Sequence, residues 1–273
     1  MLTSNKRLGL HVGLGPTLLE TMTVHPSMFT LQMCWGNAWD VKKFSSDDLM
    51  NTKSHCLMYD RNFYVHASCR VHLGTVSLPA IAHVQGILNQ LSDVPGSAIV
   101  HIGKGKDSSL EKVKQSLNQL KIPEGSGRTK HKLLLENAAG QGFEKGRDWN
   151  ELFQLFEGLD PKIGLCIDTQ HSFASGLCNF SDPNAVQEFF KICDTYFPGR
   201  LQAIHLNDSG TIFKSQIDSH GNTYLRNGYI WKDNDLALKL LLQESYKREL
   251  DCILETGGGY NDLALLHKEY LNV

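Results

Sequence analysis

Eight short runs of β-forming, largely apolar residues alternate with segments of helical spacing along the chain. Most runs are nearly continuous apolar stretches, as in parallel strands that are buried on both faces. The runs are Leu8–Val12, Met28–Gln32, Phe63–His66, Ala98–His101, Lys132–Glu136, Ile163–Asp168, Leu201–Leu206 and Asp251–Glu255. Helices are predicted at Leu78–Leu91, Leu110–Leu120, Trp149–Phe156, Pro183–Tyr196 and Asn234–Glu244. This alternation predicts an α/β fold built from βαβ units.

Eight strands are enough to close a barrel, although an open doubly wound sheet has the same local pattern. The 273 residues are close to the roughly 250 that a (β/α)8 barrel uses as one domain. No linker or low-complexity stretch divides the chain. We therefore expect a single domain over residues 1–273, with the barrel favoured by the residues at the strand ends.

Polar residues end six of the apolar runs or lie one residue inside the end. In a barrel these side chains would converge at the carboxyl-terminal mouth, where such folds carry their active sites. Converging buried carboxylates need cations, and no strand end supplies Lys or Arg. Metal ions are therefore the expected counter-charge. The six residues are His66, His101, Glu136, Asp168, His205 and Glu255.

Three further candidate ligands lie in predicted connecting loops. His171 follows Asp168 in an Asp-Thr-Gln-His sequence, and Asp218 and His220 form an Asp-x-His pair. Imidazole and carboxylate without thiolate suit zinc, manganese or iron, and zinc is the usual choice in His-rich hydrolytic sites. Nine ligands could hold three ions that share one carboxylate.

Composition narrows the class of protein and its surroundings. The formal net charge of −2 excludes a surface that is basic all over, although residues 101–132 carry eight Lys and Arg against three acids, a run expected to be a helix surface. The seven cysteines form no C-x-x-C pair, so neither a disulfide framework nor a Cys-rich zinc module is predicted. No apolar stretch is long enough for a membrane span, and the amino terminus lacks the apolar region of a signal peptide. We expect a soluble intracellular protein.

Four sequence blocks resemble the endonuclease IV family of apurinic/apyrimidinic (AP) endonucleases. They are Leu134–Gly142, Ile163–Gly176, Ile204–Ser209 and Ile253–Thr256, which contain LLENAAGQG, CIDTQH with FASG, IHLNDS and ILET. The blocks follow the order of that family, and His66-Ala67-Ser68 and Gly9–Val12 resemble its third and first strands.

This resemblance implies a single-domain, xylose isomerase-like TIM barrel with three zinc ions, which cuts duplex DNA 5′ to an abasic site and leaves a 3′-hydroxyl. Trimming of 3′ ends is a further activity that it suggests. By the same resemblance, His66, His101 and Glu136 hold the first ion, and Glu136 bridges to a second one held by Asp168, His205 and Glu255. His171, Asp218 and His220 hold the third. Glu136 and Glu255 are the expected catalytic residues, and Asn137, Gln141 and Asp208 are expected to orient ligands.

The loops that should probe the DNA depart from the family. Asn37 stands where the family has an arginine, and Cys69 and Arg70 stand where it inserts a tyrosine and a leucine into the duplex. These three residues are the predicted DNA contacts, with Trp35 and Trp39 as alternatives that either stack on DNA or pack in the protein. Such loops on an intact ligand set resemble versions of the enzyme from large DNA viruses.

Two other functions fit part of the pattern. A metal-dependent sugar isomerase or epimerase uses the same barrel and mouth, but it does not require His171, Asp218 and His220. A protein that binds damaged DNA without cutting it would be expected to lack a bridging ligand. The favoured prediction is therefore the endonuclease, acting on DNA with abasic sites and expected to be a monomer.

Overall fold

The strands form a closed parallel barrel in a computed structural model that describes residues 7–12, 30–35, 44–220 and 224–270. Each strand pairs with the next, and the last pairs with the first, which excludes the open-sheet alternative. All eight predicted strands are confirmed, with ends that differ by a few residues. The strands are β1 (Leu8–Val12), β2 (Thr30–Trp35), β3 (Asn62–Ala67), β4 (Gly96–His101), β5 (Leu133–Glu136), β6 (Ile163–Asp168), β7 (Leu201–His205) and β8 (Asp251–Leu254).

Helices occupy most of the connections between strands. They are α1 (Ser46–Tyr59), α2 (Leu78–Gln90), α3 (Leu110–Leu117), α4 (Trp149–Phe156), α5 (Thr169–Ser175), α6 (Pro183–Tyr196), α7 (Asp235–Lys247) and α8 (Tyr260–Tyr270). The five predicted helices are confirmed, and α1, α5 and α8 were not predicted. Helix α1 buries only Thr52 and Cys56, so it has little apolar periodicity. The capping box of Ser45 and Asp48 is the signal that could have revealed it.

The alternation of side chains along each strand explains how the metal-ligand candidates come to share one layer. A small apolar cluster fills the barrel interior, with one residue from each of six strands: Tyr64, Ile99, Leu134, Cys166, Ala203 and Ile253. Two positions further along the chain from each of these residues stands a predicted ligand; five of the six lie on the strands, and Glu255 lies one residue beyond the end of β8. Side chains two residues apart on a strand point to the same face. The ligands therefore form the next layer of the interior, at the carboxyl-terminal mouth.

The basic run between residues 101 and 132 is not one helix surface, so that interpretation is wrong. Only Lys112 and Lys114 lie on α3, while Lys104 and Lys106 precede it in the loop after β4. Lys132 is fully buried, and its Nζ donates to the carbonyl oxygens of Leu91 and Val94 at 2.8 and 2.6 Å. The run thus divides between the mouth, a helix surface and an internal contact.

Within the described ranges, none of the helices combines the length and the apolar character that crossing a bilayer requires.

Candidate metal centre

Glu136 lies at the centre of the ligand layer and is 1% exposed. One carboxylate oxygen, Oε2, is 2.8 Å from His66 Nε2 and 3.7 Å from His101 Nδ1. The other, Oε1, is 2.8 Å from His205 Nδ1. In the sheet, His101 pairs directly with Glu136, and this register fixes their approach. Both oxygens of one carboxylate therefore face imidazoles from other strands.

A second group forms beside Glu136 from the ends of β6, β7 and β8. His205 Nδ1 lies 3.8 Å from Asp168 Oδ2 and 3.5 Å from Glu255 Oε2. Asp168 and His205 are direct partners in the β6–β7 register. One ligand atom from each of these three residues lies within 4.8 Å of the others, as a shared metal ion would require.

The remaining three candidates join the cluster from outside the strands. His171 is in the first turn of α5 rather than in a loop, because the Asp168 side chain caps that helix by accepting from the His171 backbone N–H at 2.9 Å. Asp218 Oδ1 lies 3.5 Å from His171 Nε2 and 3.6 Å from His220 Nε2. The structure therefore brings all nine predicted ligands together.

The cluster keeps carboxylates ionised and at least one imidazole neutral. Burial would raise the pKa of Glu136, but His101, His205 and His66 hold it well below its usual value. A hydrogen bond with His171 lowers the pKa of Asp218 to about 2. Burial lowers the pKa of His101 to about 4. Burial would lower the pKa of His171, but Asp168 and Asp218 hold it well above its usual value, so a metal ion that binds there would displace its proton.

The donor set fits zinc. Three groups of closely spaced ligand atoms are present among the described residues: His66, Glu136 and His205; Asp168, His171 and His220; and Asp168, His205 and Glu255. His220 Nε2 is buried and makes no hydrogen bond within the described part of the chain, although two carboxylates stand near it. A buried ring nitrogen that makes no hydrogen bond with the described residues is suited to coordinating a metal ion. The division of ligands among individual ions stays a prediction.

Two buried amides that were not predicted hold the ligands from behind. Gln32 on β2 accepts from His205 Nε2 at 2.8 Å and donates to Glu255 Oε1 at 2.5 Å. Asn207 Nδ2 donates to Asp168 Oδ2 at 2.7 Å and to Glu255 Oε2 at 2.9 Å. With its Nε2–H donated to Gln32, His205 presents Nδ1 to the carboxylates.

The three residues predicted to orient ligands have distinct contacts. The Asn137 carbonyl oxygen accepts from His171 Nδ1 at 2.9 Å, which leaves Nε2 facing Asp218. Gln141 Oε1 accepts from the Asp218 backbone N–H at 3.2 Å. Among the described residues, Asp208 does not hydrogen-bond to a candidate ligand directly. Its carboxylate accepts from backbone N–H groups of the loop that carries Asp218 and His220.

The predicted DNA contacts lie beside this centre where they are described. Cys69 and Arg70 are exposed and follow β3. They line a cavity of about 480 Å³ together with the ligands His101 and Asp218. Asn37 and Trp39 lie outside the described residues, and Trp35 is the last residue of β2. Contact of Asn37, Cys69 and Arg70 with DNA stays a prediction.

A closed eight-stranded parallel barrel with clustered histidines and carboxylates at its mouth is a TIM barrel with a candidate metal centre. The chain belongs to the xylose isomerase-like TIM barrel family, whose sequence pattern matches residues 72–257. It is 27% identical over 269 residues to the "Probable endonuclease 4" of Staphylococcus aureus strain Newman, covering 91% of this chain and 87% of that protein.

Two solved structures share the fold over almost the full chain. Endonuclease IV from Thermus thermophilus aligns with a TM-score of 0.79 and 22% identity, covering 97% of this chain and 98% of that one. The protein of the AsfvAP:AG crystal structure aligns with a TM-score of 0.77 and 19% identity, covering 98% of each chain. The resemblance predicted from the sequence blocks is confirmed.

Proposed function

We propose that the chain is a zinc-dependent AP endonuclease that hydrolyses the phosphodiester 5′ to an abasic site in duplex DNA and leaves a 3′-hydroxyl. The observation that carries this proposal is the convergence of nine His, Asp and Glu side chains at one barrel mouth. The relatives named as endonuclease IV or endonuclease 4 support it.

Three zinc ions would be held by the predicted ligand sets, with Glu136 shared between two of them. Bound zinc would stabilise negative charge on the attacked phosphate and on the leaving oxygen, and would lower the pKa of a nucleophilic water. His66, His101 and Glu136 would hold the first ion. Asp168, His205 and Glu255 would complete the second with Glu136, and His171, Asp218 and His220 would hold the third.

The protein's own contribution is to fix donor atoms before the substrate arrives. Glu255 is held through both carboxylate oxygens, by Gln32 on one side and Asn207 on the other. Glu136 is held between imidazoles in the same way. The rate of an enzyme falls steeply when a catalytic group is displaced. Contacts to both carboxylate oxygens are therefore consistent with the catalytic roles that we propose for Glu136 and Glu255.

The mouth also suits a bulky, anionic substrate. Three basic side chains, Arg70, Lys104 and Lys106, stand in the loops after β3 and β4. Basic groups around a metal centre bind the phosphate backbone of DNA whatever its sequence. We further propose that residues 1–273 form one domain, that the protein acts as a monomer, and that it trims blocked 3′ ends at the same centre.

Cleavage of an oligonucleotide duplex with one tetrahydrofuran site tests the main proposal. We expect metal-replete protein to nick the strand 5′ to the lesion and to leave an end that a DNA polymerase extends. Elemental analysis of the same preparation should find three zinc ions per chain. An intact duplex and duplexes with oxidised or 3′-blocked ends serve as comparison substrates.

Two results would reject the endonuclease. Tight binding to the lesion duplex without a nick, by protein with full zinc content, would identify a damaged-DNA-binding protein. Interconversion of free ketose sugars together with an uncut lesion duplex would identify a sugar isomerase or epimerase.

A further inference from the structure

An exposed aromatic side chain stands at the tip of the loop that joins β5 to α4. Phe143 is 52% exposed, whereas its neighbour Glu144 is buried. Single exposed apolar residues are common on protein surfaces and need no explanation by themselves. The surroundings of Phe143 distinguish it, because the loop is fixed, basic groups stand beside it, and the cavity at the metal centre begins at the next residue.

Backbone and side-chain contacts fix this loop on both sides of Phe143. The Lys145 backbone N–H donates to the Gly103 carbonyl oxygen at 2.9 Å, so the loops after β4 and β5 are paired. Glu144 accepts from the Gln141 backbone N–H at 2.9 Å and forms an ion pair with Lys104 at 3.1 Å. Phe143 therefore projects from a loop that is already ordered. Little conformational entropy is lost when its ring contacts a ligand.

The groups around Phe143 combine an aromatic face with positive charge. Lys106 Nζ lies 5.8 Å from the centroid of the Phe143 ring. Glu144 and Lys104 line the cavity of about 480 Å³ that also holds Arg70 and the predicted ligand His101. Basic groups that follow the phosphates, together with an aromatic ring that stacks on a base, are the two parts of sequence-independent nucleic-acid binding.

We propose that Phe143 stacks on a base of the duplex next to the abasic site while the lesion lies at the metal centre. The proposal rests on the proposed function. It assigns to the loop after β5 an aromatic contact that the exposed residues Cys69 and Arg70, in the loop after β3, do not supply. The ring would fill space that the missing base leaves and would favour damaged over intact DNA.

Three substitutions at this position separate stacking from simple bulk. In zinc-replete protein, Phe143→Ala should lower kcat/KM on the tetrahydrofuran duplex by about 5- to 150-fold, the range expected when a stacking aromatic is truncated, mainly through KM. Phe143→Trp should keep the wild-type value. Phe143→Leu, which is apolar but not planar, should be as weak as the alanine variant. Tyr246 is an exposed aromatic residue on α7, in the outer layer, so Tyr246→Ala is the matched control. Its kcat/KM should equal the wild-type value.

A fluorescent base provides a readout independent of rate. With 2-aminopurine next to the lesion, rapid mixing should show a fluorescence change on binding that Phe143→Trp keeps and that the alanine and leucine variants lose. Zinc content and circular dichroism should be the same for all variants. Wild-type kinetics and fluorescence in Phe143→Ala, or full activity in Phe143→Leu, would overturn the stacking role and leave the endonuclease standing. A wild-type protein that leaves the lesion duplex uncut would overturn both.

Discussion

Glu136 is the residue on which most of the metal centre depends. Its two oxygens face His66, His101 and His205, and His171 Nδ1 is 3.7 Å from Oε1. A neutral amide at this position would keep the shape but remove the shared negative charge and one oxygen donor. A metal ion bound next to Glu136 would lose one ligand. The histidines that face Glu136 would lose a hydrogen-bond partner.

We therefore expect Glu136→Gln to reduce zinc content at two positions together and to abolish cleavage. Loss of several kcal/mol of transition-state stabilisation corresponds to a fall in rate on the order of 10³-fold or more. Elemental analysis and the tetrahydrofuran assay measure the two effects. Glu188→Gln, the same change on the outer surface of α6, is the control. Full zinc content with a near-normal rate would refute the central role of Glu136.

Gln32 affects the same centre through hydrogen bonds. Replacing it by leucine would leave both His205 Nε2 and Glu255 Oε1 without their amide partner in a buried place. Loss of such a supporting contact typically costs 10- to 100-fold, so we expect Gln32→Leu to weaken zinc affinity by roughly that factor. Competition with a chromogenic chelator measures the affinity directly. Gln115→Leu, on the exposed surface of α3, should leave it unchanged, and equal affinities in the two variants would contradict the role of Gln32.

The candidate ligands could be predicted at this scale, whereas two of their supports, Gln32 and Asn207, could not. A His or carboxylate that ends an apolar run conflicts with burial unless it has a partner, and this conflict is visible in the sequence. Gln32 and Asn207 carry uncharged amides. Such side chains are ordinary in strands and loops, so nothing in the sequence indicates that they bind a buried partner. The partners of Gln32 come from the ends of β7 and β8, and those of Asn207 come from the ends of β6 and β8. These contacts are therefore visible only in the closed barrel.

The loop between β7 and α7 is the element that delivers Asp218 and His220. Its described parts are tied together by Asp208, whose carboxylate accepts from the backbone N–H groups of Ser209, Gly228 and Ile230 at 2.8, 2.8 and 2.9 Å. Asp208 is fully buried. A single carboxylate thus joins the outgoing and returning segments of the loop.

Asp208→Ala should loosen this loop while the barrel stays folded. Three backbone amides, of which those of Ser209 and Ile230 are buried, would lose a charged acceptor, at a cost of about 1–3 kcal/mol for each buried group left unsatisfied. We expect loss of one zinc ion per chain with unchanged far-ultraviolet circular dichroism. Asp182→Ala, which removes the cap of α6 away from the mouth, is the comparison and should retain all its zinc. Retention of full zinc by Asp208→Ala would show that the loop is held by other contacts.

Elements differed in how visible they were in the sequence. The strands were predictable because burial on both faces leaves nearly continuous apolar runs. Helix α5 was not, since it has seven residues and begins at the cap formed by Asp168, a residue that was expected to be only a ligand. The basic run was misassigned because charge spacing does not distinguish an exposed lysine from one such as Lys132, which finds carbonyl partners inside the protein.

At the scale of the whole molecule, the mouth concentrates acidic groups that need counter-charge. Removing zinc with a chelator should therefore lower the melting temperature, because only the folded chain assembles the ligands. One ion at about 1,000 times its Kd contributes about 4 kcal/mol, and a barrel of this size shifts by roughly 2–4 °C per kcal/mol. We expect a fall on the order of 10 °C or more.

Differential scanning calorimetry of zinc-loaded and chelator-treated protein measures this shift. Zinc added back should restore the melting temperature, whereas magnesium, which prefers all-oxygen sites that keep several waters, should not. An unchanged melting temperature after complete removal of zinc would argue against structural coupling between the ions and the barrel.

The pairing of β8 with β1 closes the barrel, and Glu255 stands just beyond the end of β8. The proposed ligands extend from His66 to Glu255, so every strand from β3 to β8 contributes to the centre or leads directly into it. On the ribosome, a nascent chain that has not yet released β8 can gather neither the complete ligand set nor a sealed interior. The proposed nuclease would therefore be unable to cut DNA until the last strand has docked and the ligand set is complete.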